Sequence, residues 1–253
     1  MLIAITRPTG EELLDCELTH IERIPIDVER ARAQHDDYLG VLRSLDVEVI
    51  ELPRLPGHPD AVFVEDTALV LPEVAVLLRP GAESRQGEVP SMAAALAPYR
   101  ECVAMEAPAN LDGGDVIVFG KRILVGQTTR SNEAGISALG YLVKPFGFTV
   151  EGVSVRDVLH LKSAATVVDE ETLIVHPAYV DLGFLGAELL ETHADEPQGA
   201  NVVRIGESLL ADASAPRTIE MLEARGEQVV EVHVDEFGKA EGAIICKGVI
   251  FEV

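Results

Sequence analysis

The stretch Asp115-Val116-Ile117-Val118-Phe119-Gly120-Lys121-Arg122-Ile123-Leu124-Val125 decides how the chain is read. Two apolar, β-branched runs flank a short Gly-Lys turn, which is the pattern of a β-hairpin. The same plan recurs on either side of it: Phe63–Leu71 with Val74–Leu78, Ala164–Val168 with Thr172–Val175, Asn201–Ile205 with Ser208–Leu210, and Ala243–Ile245 with Val249–Val253. Five hairpins at intervals of roughly 40–50 residues predict a repeat architecture in which each unit buries its face against the next. A radial, propeller-like closure follows. Closing the ring removes exposed sheet edges, and the N-terminal strand Leu2–Thr6 is free to pair with a blade at the other end of the chain.

Helical patterns fall between the hairpins. Asp27 is placed to cap a helix whose stripe is Ala31, His35, Tyr38, Leu39, Leu42 and Leu45; Ser214 with Pro216 opens another that Gly226 closes. Shorter helices are expected around Glu88–Ala97 and Thr129–Leu139, interrupted by Pro90 and Gly135. There is no linker or low-complexity tract, so residues 1–253 are expected to form a single domain.

Composition narrows the partners. The chain has 253 residues, 20 of them Lys or Arg and 43 Asp or Glu, for a net charge of −23 with neutral histidines. That field repels phosphate backbones and anionic lipid surfaces and favours a cationic ligand, so nucleic acid and membrane are excluded as expected partners. With 47% hydrophobic and 25% charged residues, the balance is that of a globular protein and not of a disordered acidic chain. The three cysteines, Cys16, Cys102 and Cys246, form no CxxC pair or disulfide framework, and no apolar run reaches the roughly 18 residues of a spanning helix. A cytoplasmic protein, monomer or homodimer, is expected.

Four stretches carry chemistry. In Asp60…Phe63-Val64-Glu65-Asp66-Thr67 two acids interrupt an apolar strand; unpaired buried carboxylates are costly, so each needs a cation, water or a ligand. Strand alternation would aim Glu65 and Asp66 in opposite directions, and a salt bridge to a neighbouring strand is as good a reading as a binding role. In Leu111-Asp112-Gly113-Gly114-Asp115 the paired glycines permit a close approach, although an Asp-Gly turn before a strand is commonplace. In Leu159-His160-Leu161-Lys162-Ser163 the histidine shares the more polar face with Lys162, where surface histidines are common. Cys246, deep in the last strand signal, reads by itself as inert filling. Taken together, a cysteine, a histidine and several carboxylates suit displacement at a guanidinium carbon, whose planar N–H fork carboxylates accept bidentately.

These landmarks, with Arg79-Pro80-Gly81-Ala82-Glu83-Ser84-Arg85, Thr129-Arg130-Ser131-Asn132, Ala200-Asn201 and Gly242 four residues before Cys246, closely resemble the dimethylarginine dimethylaminohydrolases of the guanidine-modifying pentein superfamily along nearly the whole chain. The resemblance implies an α/β pentein fold, a five-bladed propeller of ββαβ-type repeats with a central active site. It implies Cys246 as nucleophile, His160 as general acid and base, and Asp66 and Asp112 as carboxylates gripping the guanidinium, Asp112 belonging with the catalytic set. Arg85 and Arg130 would hold the substrate α-carboxylate, Asp60 and the backbone near Leu18 the α-amino group, and Glu65 would be a supporting acid beside the substrate-binding set. The implied reaction is hydrolysis of Nω-methylated arginine to citrulline and a methylamine through a thiouronium, without cofactor or metal. Hydrolysis of another guanidine such as arginine, or non-catalytic binding of a cationic amino acid, are the alternatives.

The chain departs from the pattern after the nucleophile, with Lys247 and Gly248 where relatives carry a second sulfur residue and a serine. The scattered His20, His35, His58, His176, His193 and His233 have no metal-ligand spacing. An acid cluster around Cys246 is further expected to raise the thiol pKa by Coulomb repulsion until a cationic substrate reverses it.

Overall fold

A computed structural model describes residues 1–253. The first sheet holds β1 (Leu2–Thr6) and β2 (Glu48–Glu51), the second β3 (Ala68–Val70), β4 (Ala75–Leu77) and β5 (Cys102–Ala104). The third has β6 (Val116–Phe119), β7 (Arg122–Gln127) and β8 (Thr149–Ser154), the fourth β9 (Ala165–Val167), β10 (Thr172–Val175) and β11 (Glu188–Glu191). The fifth has β12 (Val203–Ile205), β13 (Ser208–Asp212) and β14 (Gln228–Val232), while β15 (Val249–Glu252) returns to the first. In each sheet an antiparallel hairpin is followed by a strand parallel to its second member. Helices α1 (Val28–Ser44), α2 (Val89–Leu96), α3 (Glu133–Val143) and α4 (Pro216–Ala224) make four of these five crossovers; α5 (Asp235–Gly238) follows β14, and the crossover to β11 has only a 3-10 turn at Gly183–Leu185.

Five buried apolar clusters occupy the five seams between neighbouring sheets, including the seam that joins the first sheet to the fifth. As many seams as blades means a closed ring. Ile3 and Ile5 of β1 face one seam, toward Ala68, Ala75 and Met92, while Ala4 faces the other, toward Val203 and Leu210. Period-two alternation in a single strand therefore glues both neighbours of the first blade.

The fifth hairpin differs from expectation. Ala243–Ile245 is not a strand; a 3-10 turn at Ile245–Lys247 leads into β15, whose hairpin partner is β1, with Leu2 opposite Glu252 and Ile5 opposite Val249. The backbone N–H of Ile245 donates to the Asn201 side chain at 3.2 Å and so is lost to any ladder. The second blade is also shorter than its apolar run, because Val64–Thr67 is a 3-10 helix and the strand starts at Ala68. The carbonyl of Phe63 there accepts from Arg85, which a sheet would forbid.

Helix α1 begins where Asp27 accepts from the Arg30 N–H at 3.0 Å. Helix α4 is capped differently: Ala215 and not Ser214 precedes it, and the Glu196 carboxylate accepts from the N–H groups of Arg217 at 3.1 Å and Thr218 at 2.8 Å. Helix α3 starts at Glu133 under an Asn132 cap, which leaves residues 129–131 as a loop free to serve the axis. None of these helices is long and apolar enough to cross a membrane.

Because β1 closes the ring, Ile5→Ala is expected to lower the unfolding free energy by about 2–5 kcal/mol in denaturant titration, whereas Tyr141→Ala, at an 80% exposed site, changes it by less than about 0.5 kcal/mol. A near-neutral Ile5→Ala would show that the seam does not depend on this strand.

Candidate active site

Loops at one end of the blades meet on the propeller axis. A 3-10 turn at Gly113–Asp115 precedes β6, another at Leu161–Ser163 precedes β9, and the turn that holds Cys246 precedes β15. Asp66, Asp112, His160 and Cys246 therefore each sit just before the first strand of a blade, where the backbone leaves the ladder and can point groups at the axis. Asn201 ties two of these loops together: its Nδ2 donates to the Lys162 carbonyl at 3.0 Å while its Oδ1 accepts from Ile245.

His160 is buried at the base of the site. Its Nε2 lies 3.1 Å from Asp112 Oδ2 and 4.0 Å from Asp66 Oδ1. The paired glycines explain how the ring fits: a Cβ on Gly114 would stand 2.6 Å from His160 Nδ1, and one on Gly113 2.0 Å from the Glu65 carbonyl oxygen. Burial opposes a charge on His160, but Asp66, Asp112 and Asp115 outweigh it and raise the imidazole to about 9.

Asp66 is the most heavily partnered acid. Gly114 N–H donates to its Oδ1 at 2.8 Å and Arg85 Nη1 to its Oδ2 at 2.5 Å. Burial works against this carboxylate, yet the charges of His160 and Arg85 and the hydrogen bonds from Arg85 and Gly114 hold its pKa below the usual range. Asp66 borders the pocket together with Cys246 and His160. Asp112 does not: it is fully buried, with Gly81 N–H donating to its other oxygen at 2.7 Å. The structure thus moves Asp112 from gripping a guanidinium to orienting the histidine.

Glu65 and Asp66 do diverge, but through the roughly 120° step of a 3-10 helix and not through strand alternation. Glu65 turns to an ion pair with Lys162 and borders a second cavity, of about 640 Å³, that enters the ring from the opposite face. Burial raises its pKa and Lys162 opposes that rise. It lies outside the pocket that Cys246 borders.

Arg85 and Arg130 have unequal surroundings. Arg85 donates through Nε and Nη2 to Glu88 at 3.1 and 2.9 Å, through Nη2 to the carbonyls of Phe63 and Asp60 at 2.9 and 3.2 Å, and through Nη1 to Asp66, which leaves one Nη1–H uncommitted. Arg130 is held loosely, 3.5 Å from a Glu17 oxygen and 3.3 Å from the Thr19 hydroxyl. Asp60 accepts from the Glu17 N–H at 3.2 Å, and burial, opposed by Arg85, raises it to about 6. Leu18 is half-buried against the core and does not border the pocket, although its neighbour Glu17 does. Residues 16–26 form the roof, latched where the Glu241 carboxylate accepts from Thr19 N–H at 2.7 Å and His20 N–H at 2.6 Å.

Cys246 borders the same pocket, its thiol pushed far above the ordinary range. The direction agrees with the sequence expectation, but the order of causes does not: burial comes first, and the charges of Glu65 and Asp66 follow. The cavity under the roof holds about 20 Å³, room for about one water, so groups lining it must move to admit an amino acid.

Asp115 was missed as a site residue because it reads as the start of a strand. Its carboxylate accepts from Thr128 Oγ1 and Ser131 Oγ at 2.6 Å each and from Leu161 N–H at 2.9 Å, fixing the histidine's loop. An acid directly before a β-branched run was the available signal. Glu88, Glu17 and Glu241 had none, since ordinary surface acids look the same in sequence. The ligand atoms of Asp66, Asp112 and His160 lie within 4.8 Å of one another, but the carboxylates already serve Gly114, Arg85 and Gly81, and the Arg85 cation beside them opposes a metal ion.

A closed five-bladed α/β ring with a thiol, an imidazole and buried carboxylates on its axis defines the guanidine-modifying pentein class. The dimethylarginine dimethylaminohydrolase of Streptomyces coelicolor is 39% identical over 248 residues, 97% of this chain and 95% of that one, and the Pseudomonas aeruginosa enzyme is 29% identical over 98% of each. No family model matches the chain. The Pseudomonas aeruginosa structure of a cysteine-to-serine variant with citrulline superposes with a TM-score of 0.93 at 28% identity over 98% of each chain. A dimethylarginine dimethylaminohydrolase carrying a histidine-to-glycine change, as an adduct with S-methyl-L-thiocitrulline, gives the same score over 98% of this chain and 99% of that one. The N-terminal domain of a cyanobacterial arginine dihydrolase, 20% identical, shares the fold with a TM-score of 0.85 over 99% of this chain and 98% of that one. This chain belongs to the dimethylarginine dimethylaminohydrolase family.

The raised imidazole gives a stability signature. A proton held more tightly in the folded state stabilises it fully below the ordinary value of 6.5, and this contribution is lost as the pH climbs through about 9. The stability difference between wild type and His160→Asn should therefore shrink by about 3 kcal/mol across that window in denaturant titrations. A difference independent of pH would mean that His160 is not held protonated.

Proposed function

We propose that this chain hydrolyses Nω-methylated arginine to citrulline and a methylamine, with residues 1–253 acting as one catalytic unit. The observation that carries the reading is the convergence of Cys246, His160 and Asp66 on one pocket, with Asp112 behind the histidine. Each Asp66 oxygen retains acceptor capacity after serving Gly114 and Arg85, so the guanidinium N–H groups can bind there. With the guanidinium bound, the Cys246 thiol gives its proton to solvent, the thiolate Sγ attacks the guanidinium carbon, and protonated His160 gives its proton to the departing amine as that C–N bond breaks. The resulting thiouronium is cleaved by water, which gives a proton to the now neutral His160; the thiol departs and citrulline remains.

Arg130, whose tethers are long, is suited to turn toward the substrate carboxylate, with the single free N–H of Arg85 beside it. Asp60 and the backbone around Leu18 face the amino group once the roof opens. Glu65 acts from beneath, through Lys162. No metal or cofactor enters this scheme. Nucleic acid and membrane surfaces are disfavoured as partners by the net charge of −23, and the three free thiols suit the cytoplasm. The working unit is a monomer or homodimer.

Asymmetric dimethylarginine, monomethylarginine, arginine and agmatine should be compared by citrulline and released amine. The methylated substrates are expected to lead; arginine as the best substrate would replace the proposal with a deiminase. Cys246→Ser should abolish turnover, and His160→Asn should lower kcat by about 10²–10⁴-fold. Thiolate absorbance should appear at lower pH with a bound amidinium analogue than in the free enzyme; a low thiol pKa in the free enzyme would refute activation by the substrate.

A further inference from the structure

Asp115 lies behind the site, fully buried, and its hydrogen-bond partners are two hydroxyls and a backbone N–H, none of them a cation. It does not border the pocket that Cys246 borders. Each of its partners nevertheless leads to a different residue of the site. Thr128 Oγ1 donates to Asp115 Oδ2 at 2.6 Å and accepts from the backbone N–H of Arg130 at 3.1 Å. Ser131 Oγ donates to the same oxygen at 2.6 Å and accepts from the backbone N–H of Asp112 at 3.2 Å. The N–H of Leu161, one residue after His160, donates to Oδ1 at 2.9 Å.

The polarity of this network is fixed. Each hydroxyl has one hydrogen, and giving it to the carboxylate leaves lone pairs for the Arg130 and Asp112 N–H groups, so both branches run from N–H through O–H to the anion. Burial raises the Asp115 pKa to about 6, opposed by the charge of His160 and by the hydrogen bonds from Ser131, Thr128 and Leu161, which leaves the group ionised at neutral pH. The fold also makes room for it: a Cβ on Gly126 of β7 would stand 2.6 Å from Asp115 Oδ1 and 2.9 Å from the Leu161 Cβ.

Resting on the functional reading above, we propose that Asp115 is a positioning residue for both ends of the substrate: through Thr128 it sets the Arg130 loop that receives the α-carboxylate, and through Ser131 and Leu161 it sets Asp112 and His160, which serve the departing amine. A carboxylate accepts all of these donors at once. An amide of the same shape would turn its NH2 against either the Leu161 N–H or both hydroxyls, so the register between the two ends depends on the anion.

Steady-state kinetics of Asp115→Asn, Thr128→Val and Ser131→Ala, with Thr128→Ser and Ser131→Thr as controls, separate the branches. Thr128→Val is expected to raise KM about tenfold with kcat within about twofold of wild type, Ser131→Ala to lower kcat about tenfold with KM unchanged, and Asp115→Asn to do both. The controls keep the hydroxyls and should stay within about twofold of wild type in both constants. A merely structural brace would lower the thermal midpoint and leave kcat and KM of the folded enzyme as they were; that result overturns the proposal, and so does one shared pattern in Thr128→Val and Ser131→Ala, since the branches would then not be separate. If Asp115→Asn does not fold, the hydroxyl variants and their controls decide by the same criteria. Failure of the functional reading shows differently, as a wild type that turns over no guanidine of the panel. Citrulline affinity by calorimetry then decides: a drop of about tenfold in Thr128→Val but not in Ser131→Ala supports the proposal, and equal affinities overturn it.

Discussion

Everything at the centre of this protein depends on Asp66 remaining ionised where water is nearly absent. A carboxylate in that position is costly alone, and the surrounding loops are arranged to hold it: Arg85 on one side, the Gly114 N–H on another and His160 within 4.0 Å. Each of those partners is held in turn. Glu88 anchors Arg85, Asp112 orients His160, and Gly113 and Gly114 give up their side chains so that the ring and the backbone can approach. The same charge that holds the imidazole protonated helps to hold the thiol protonated, so the protonation of both groups follows from one interaction.

The ring makes such an arrangement affordable in structural terms. Five seams of apolar side chains surround the axis and carry the folding free energy, so that the polar loops before the first strands can be spent on chemistry. The ion pair of Glu65 and Lys162 separates the pocket from the cavity on the opposite face. Above, a roof latched by Glu241 leaves room for little more than a water, so desolvation of the reacting groups and admission of substrate are opposing demands met by the same short segment.

The repeated hairpins were legible because strand periodicity is local, and four of the five stand where the apolar runs place them. The fifth failed for a non-local reason: β15 takes its hairpin partner from the opposite end of the chain. The 3-10 turn at Val64–Thr67 was misread as strand because apolar content cannot distinguish an extended segment from a tight turn entered at Phe63, whose carbonyl accepts from an arginine. Helix α4 shows the same limit, since its cap is Glu196, distant in sequence, and not the adjacent serine.

What the sequence determined by itself was the set of chemical groups and the number of blades, since both are written in residue type and short-range period. Cys246, His160, Asp66 and Asp112 were all recognisable there. Only the tertiary structure decided their division of labour: Asp112 behind the histidine, Glu65 beneath the site, Arg85 committed to bracing and Arg130 left loose. Those roles depend on burial and on partners brought from other blades, and desolvation and Coulomb energies are set by distances through space that spacing along the chain does not encode.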